Sequence, residues 1–174
     1  MSEPTSEQSK ATKRNPNEGK RFQRYSNAFK GETSKMNGKV FQLLTEQPRM
    51  GQFEETLEAL QRYANKVYPL DTVFLLPLFK DLIEPILMEP DKPQPKVAIK
   101  GGPAEVDEWD CLKYTEEMRL YLKTKERTCA TMAALYGVAW LQCSKLMQNK
   151  CRGHEDFEEI EEARDIVRLL KMTS

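Results

Sequence analysis

The chain has 174 residues, with 27 Lys and Arg against 27 Asp and Glu and apolar residues at 39%, a length that suits one domain of ordinary size. No apolar run approaches the ~18 residues that a bilayer span needs. The first residues also lack the apolar stretch of a secretory signal, which points to the cytosol or nucleus, and a cytoplasmic protein without membrane contact is expected.

The zero net charge hides an asymmetry. Residues 1–50 hold 10 basic and 5 acidic side chains, and residues 51–174 hold 17 and 22. A basic N-terminal part is therefore joined to an acidic remainder. Only Met1, Ala11, Phe22, Tyr25, Ala28 and Phe29 are apolar among residues 1–35, too few to bury, so 1–35 is expected to be a disordered arm. Within it Lys10, Lys13, Arg14, Lys20, Arg21 and Arg24 are candidates for neutralising RNA phosphates, with Phe22 and Tyr25 available to stack on unpaired bases. The alternative is a solvated tail that keeps the protein soluble.

The elements follow in chain order. Residues 36–45 hold a short apolar cluster (Val40, Phe41, Leu43, Leu44) after the Asn37-Gly38 turn signal, consistent with a brief strand or one helical turn. Residues 52–67 read as a helix. Phe53, Leu57, Leu60, Ala64 and Val67 fall on one stripe, carboxylates open it, Lys66 closes it and Pro69 stops it. Residues 71–83 give a second helical segment with Asp71 as N-cap and a break expected at Pro77. Five of the ten prolines fall in 85–103, an extended linker.

Three further helices are expected. The first, 104–124, carries Trp109, Leu112, Glu116, Leu120 and Tyr121 as its stripe. The second, 126–150, carries a broad stripe through Cys129, Tyr136, Trp140, Cys143 and Met147, with Gly153 beyond its end. The third, 156–172, opens with a dense run of carboxylates and closes with Arg168 and Lys171. No alternating, strand-like pattern occurs. The fold class is all-α: an irregular bundle of about five helices at 36–174, preceded by the arm. Tyr136, Trp140, Met147, Ile166 and Leu169 are assigned to the core or to an assembly surface, because aromatic and Met residues on helices serve either role.

Catalytic and metal chemistry finds no support in the pattern. Cys143, Cys151 and the lone His154 lack a close Cys-x-x-Cys pair and a fourth ligand for zinc. The four cysteines, Cys111 and Cys129 included, show no paired spacing and sit in periodic apolar segments, which marks them as reduced core thiols. A Cys/His hydrolase using Cys143 or Cys151 would need a thiol of lowered pKa. The carboxylates of 155–162 lack the alternation and central glycine of a calcium loop, and Gly101-Gly102 lacks the lysine of a phosphate loop. No cofactor, metal or small-molecule substrate is expected, and the chain reads as a non-enzyme.

Two stretches carry a resemblance. The run FKGETSKMNGKVFQ…GQFEETLEALQRYANKVY (29–68) and the run from YLKTKERTCATMAALYGVAW to EARDIVRLLKM (121–172) resemble the Gag region of copia-type LTR retrotransposons. The second run has the family layout of a charged segment (Lys123, Lys125, Glu126, Arg127), a long helix, a short polar loop, an acidic helix opening and a closing apolar motif. Ile166 and Leu169 stand where the family often has a Trp followed by a Leu. The Cys-x2-Cys-x4-His-x4-Cys zinc knuckle of many Gags is missing from these residues. The resemblance implies a capsid-like domain over 36–174 that associates with copies of itself into particles and packages element RNA, here through the arm. The alternative is a helical adaptor that binds one protein partner and never self-assembles.

Overall fold

A computed structural model describes residues 29–42, 51–95 and 107–174. Six α-helices and one 3-10 turn occur among them, and the only strand-like pairing is a single bridge. The all-α class expected from the sequence is what forms. No helix among the described residues is long and apolar enough to cross a membrane.

Helix α1, Gln52–Val67, has the expected limits. Gly51 enters it at φ 93°, a left-handed conformation that favours glycine. Glu54 and Glu55 lie in its first turn and Lys66 in its last, in keeping with the helix dipole. Thr56, Ala59, Leu60 and Ala64 are buried, Phe53 and Leu57 pack at the margin, and Val67 is exposed.

The segment after Pro69 departs from expectation. Residues 69–75 form turns rather than helix, and α2 is only Leu76–Asp81. Pro77 sits in its first turn, where its missing N–H deprives no carbonyl of a partner, so it begins the helix instead of kinking it. The amide of Ile83 closes α2 on the carbonyl of Pro77 at 3.2 Å. Asp71 caps no helix. Its carboxylate, 2% exposed, accepts hydrogen bonds from Arg127 Nε and Thr131 Oγ1, both at 2.7 Å, and ties this turn to the next long helix. Residues 84–95 carry no regular element, and Pro85, Leu87, Pro90 and Pro93 are half-buried between exposed neighbours. The rest of the linker, 96–103, lies outside the described residues.

Helix α3, Glu108–Leu141, runs 34 residues, about 51 Å at 1.5 Å per residue. Two helices divided at residue 125 were expected. No glycine or proline interrupts 124–127, and Lys125 lies over the Tyr121 ring at 5.7 Å, so the helix continues. Asp107 caps its start by accepting from the Trp109 amide at 2.9 Å. The break falls instead at 142–144, where Ser144 accepts from the Met147 amide and caps α4, Lys145–Arg152.

The carboxyl-terminal segment also divides. Instead of one helix over 156–172, α5 is Phe157–Ala163 and α6 is Ile166–Thr173. Arg164 adopts φ 51°, the Asp165 amide returns to the Ile160 carbonyl at 3.0 Å, and the Asp165 carboxylate caps α6 at the Arg168 amide. A left-handed Arg costs roughly 1–2 kcal/mol. The break offsets that by turning both short helices so that Phe157, Ile160, Ile166, Val167, Leu169 and Leu170 all reach the core.

The core gathers around the second half of α3. Thr128, Thr131, Leu135, Tyr136 and Ala139 are its buried positions, α6 packs along it, and α1 closes another side. Residues 31–42 cover its C-terminal end. Phe41 bridges to Cys143 in parallel, its amide donating to the Gln142 carbonyl at 2.9 Å while its carbonyl accepts from the Ser144 amide at 2.8 Å. The expected cluster at 36–45 is thus one bridge after the 3-10 turn Ser34–Met36, and Leu43 and Leu44 lie outside the described residues.

Gln142, 0% exposed, organises this end. Its Oε1 accepts from the Thr33 amide at 3.2 Å, and its Nε2 donates to the Lys39 carbonyl at 3.1 Å. Gly31, at φ 77°, passes so close that an added Cβ would lie 1.8 Å from Gln142 Oε1. Residues 31–35, counted with the arm on composition, are therefore bound to the body.

Candidate functional site

The buried thiols come first, since they were the only candidate nucleophiles. Cys143 and Cys151 are each 1% exposed. Burial pushes the Cys143 thiol up to about 12, with a further contribution from Cys151, and burial also raises Cys151. A nucleophilic or metal-binding cysteine needs the opposite shift, so both are packing groups held protonated. Cys111 and Cys129 are exposed, which corrects the expectation that all four cysteines lie in the core. Those two sit on the solvent side of α3, where the apolar pattern surrounds the helix instead of marking one face.

A cleft of about 560 Å³ opens where α4, α5 and α6 meet, lined in part by Lys150, Cys151, His154, Asp156, Arg168 and Lys171. Its cations are largely engaged within the fold. Lys150 Nζ donates to the Met172 carbonyl at 3.2 Å, and Arg168 pairs with Glu159 at 3.0 Å and Asp165 at 3.5 Å. His154 is exposed in the loop after α4, where its Nδ1 accepts from the Asp156 amide at 3.4 Å. Among the described residues no group of three His, Cys, Asp or Glu side chains is placed to hold a metal ion.

The residues assigned to core or assembly divide clearly. Tyr136, Met147, Ile166 and Leu169 are buried. The Tyr136 hydroxyl has no hydrogen-bond partner among the described residues, and burial, with the Glu161 charge, pushes it up to about 12. Trp140 is half-buried. Its ring lies 5.2 Å from that of Phe157, and the Arg152 guanidinium covers it at 5.3 Å. These five side chains hold the bundle together. The arm candidates Lys10, Lys13, Arg14, Lys20, Arg21 and Arg24 lie outside the described residues.

The surface that remains is the first half of α3. None of the twenty residues 108–127 is buried; the first buried position of the helix is Thr128. This stretch spans roughly 30 Å. Asp110, Tyr114, Met118 and Tyr121 are half-buried and continue the core-facing line of Thr128, Thr131 and Leu135. Trp109 (71% exposed), Leu112 (57%) and Leu120 (58%) point elsewhere. At about 100° per residue they share an arc of roughly 80° with Glu116 and Lys123, roughly 150° from the half-buried line. The stripe expected to face the core, Trp109, Leu112, Glu116 and Leu120, is thus the solvent face, and of that set only Tyr121 turns inward. The charge at Glu116, in the middle of the stripe, was the sequence signal for this. A second exposed apolar group, Leu70, Val73, Leu76, Ile83, Ile86 and Met88, lies around α2 and the segment after it.

Comparison of the chain with protein-family models, with curated proteins and with solved structures returns no match.

Proposed function

We propose that the chain is a non-enzymatic structural protein of Gag type, which associates with copies of itself into particles in the cytoplasm and packages RNA through its basic arm. The observation that carries the reading is the half of α3 that reaches past the core with Trp109, Leu112 and Leu120 in water. Large apolar side chains grouped on one exposed helix face favour a site of interaction, where singly scattered ones would not. The exposed group around α2 adds further apolar side chains in water, and a growing assembly needs more than one contact per subunit. The protonated, buried Cys143 and Cys151 favour a structural role over a thiol enzyme. Small contacts suffice for a shell, because avidity accumulates over many weak interfaces below about 1,200 Å².

Concentration-dependent sedimentation of the full chain, with and without RNA, tests the proposal. Association that grows with concentration and extends to large particles is expected. A strict monomer at every accessible concentration, in both conditions, sinks it. A saturable one-to-one complex with a single foreign protein, in place of self-association, would move the chain to the adaptor class.

A further inference from the structure

We propose that the groove between α1 and α2 holds residues 20–25 of the chain's own basic arm, and that RNA must displace them from it. The docking stands without the RNA reading; only the competition rests on it.

The groove has a volume of about 440 Å³. Its floor is apolar, with Phe53 and Leu57 from α1 and Phe79 and Leu82 from the end of α2. All but Phe79 are half-buried, so the floor is open to water. The rim is acidic: Glu54, Glu58 and Asp81 are exposed there against Lys80 alone among the lining residues. Glu58 reaches Arg62 at 3.7 Å, but Glu54 and Asp81 enter no ion pair among the described residues. Asp81 is the last residue of α2, where the negative end of the helix disfavours a carboxylate and favours a cation.

The arm supplies the complement. Residues 20–25 read Lys-Arg-Phe-Gln-Arg-Tyr. They offer three cations to the rim and two aromatic rings to the floor, and Phe22 and Tyr25 are the only aromatic residues of 1–28. The reach is short. Gly31 lies against Gln142, the Gln142 carbonyl accepts from the Phe41 amide at 2.9 Å, and the Phe41 ring lies 5.8 Å from that of Phe53 on the floor. The six residues from Tyr25 to Gly31 span up to ~20 Å, enough to bridge those contacts. So short a tether gives an effective concentration on the order of millimolar, above that of a second copy in dilute solution. The contact is small and is released before the body melts, so proximity reports it and the melting temperature does not.

Disulfide trapping in the full-length protein tests the docking, with exposed Cys111 and Cys129 replaced by Ser. Gln23→Cys is combined with Gln61→Cys, an uncharged position lining the groove, and in a control with Leu141→Cys. Leu141 is 40% exposed, and its carbonyl accepts from the Glu32 amide at 3.3 Å. It lies at the arm's root, where an undocked arm meets it more often than it meets the groove. Under mild oxidation the 23–61 link should form about fivefold faster than the 23–141 link. Glu54→Gln with Asp81→Lys should remove that advantage, and so should Arg21→Glu with Arg24→Glu, a change in the arm that leaves the body's packing untouched. A 23–141 link as fast as 23–61, or a 23–61 rate indifferent to the arm reversal, overturns the docking. Links between chains, recognised by doubled mass, would give the groove to another copy's arm and overturn the same-chain contact. A short oligouridylate at low salt should slow the 23–61 link. If the link forms as expected and the oligouridylate leaves its rate unchanged, the competition and the RNA reading fall while the docking stands.

Discussion

Gly31 and Gln142 offer a stability cycle whose outcome follows from geometry. Gln142→Ala removes the acceptor of the Thr33 amide and the donor to the Lys39 carbonyl. Those bonds are part-buried, so water recovers some of the loss, and about 2 kcal/mol is expected. Gly31→Ala suffers twice. An alanine at φ 77° costs about 1 kcal/mol. Its Cβ also falls 1.8 Å from Gln142 Oε1, which expels the amide and forfeits the same bonds, for about 3 kcal/mol in all. In the double variant the amide is already gone, so Gly31→Ala adds only its backbone cost and the total stays near 3 kcal/mol instead of about 5. Equilibrium urea unfolding followed by circular dichroism measures all four proteins. Additivity within ~0.5 kcal/mol would refute the claim that Gly31 is glycine because Gln142 lies against it.

Other outcomes follow from the same structure. Deleting residues 1–28 should leave the melting temperature unchanged and lower RNA affinity at matched salt, whereas deleting 1–35 should also lower the melting temperature by removing the Gly31 and Thr33 contacts; equal melting temperatures for the two deletions would place Gly31 and Thr33 outside the fold. Leu135→Ala, at a fully buried position, should cost about 2–5 kcal/mol in urea unfolding, and Trp140→Ala less than Leu135→Ala because its ring is half-exposed; the reverse order would contradict the assigned burial. Iodoacetamide should label Cys111 and Cys129 quickly in the folded protein, and Cys143 and Cys151 only on unfolding. Because burial holds the Cys143 thiol near 12, against about 8.5 in the unfolded chain, the folded state keeps a proton that the unfolded state loses. Stability should therefore fall as pH rises from about 8.5 towards 12. A thermal-melt series flat across that window would count against a buried Cys143.

How much of this was legible depended on the kind of signal. Helix α1 was read to the residue because periodicity, carboxylates, Lys66 and Pro69 all agreed on it. The all-α class followed from the absence of alternation. The joints were misread because they use side-chain caps without glycine or proline. Ser144 and Asp165 start α4 and α6, and Arg164 takes a left-handed conformation with no sequence warning. Asp71 looked like a cap because an acid before an apolar run often is one. Its true partners, Arg127 and Thr131, lie 56 and 60 residues away, beyond the reach of local reasoning. Gln142 was invisible for the same reason, since its partners lie over 100 residues upstream.

The α3 misreading has the most functional content. Periodicity locates an apolar stripe but does not say what covers it. In 108–127 the line that continues the core is Asp110, Tyr114, Met118 and Tyr121, while the more apolar trio Trp109, Leu112 and Leu120 is left in water. Fully burying a large apolar side chain contributes about 1.5–3 kcal/mol, so these three represent several kcal/mol that folding of one chain does not collect. If the chain self-associates as proposed, ordering and docking a second copy would cost a comparable amount and leave a single pairing weak and reversible. A reversible contact lets a growing array correct misplaced subunits, and only the accumulation of many such contacts makes the product durable. The exposed trio on this half of α3 would therefore suit one interface of the proposed building block, and a stronger patch would serve such a block worse.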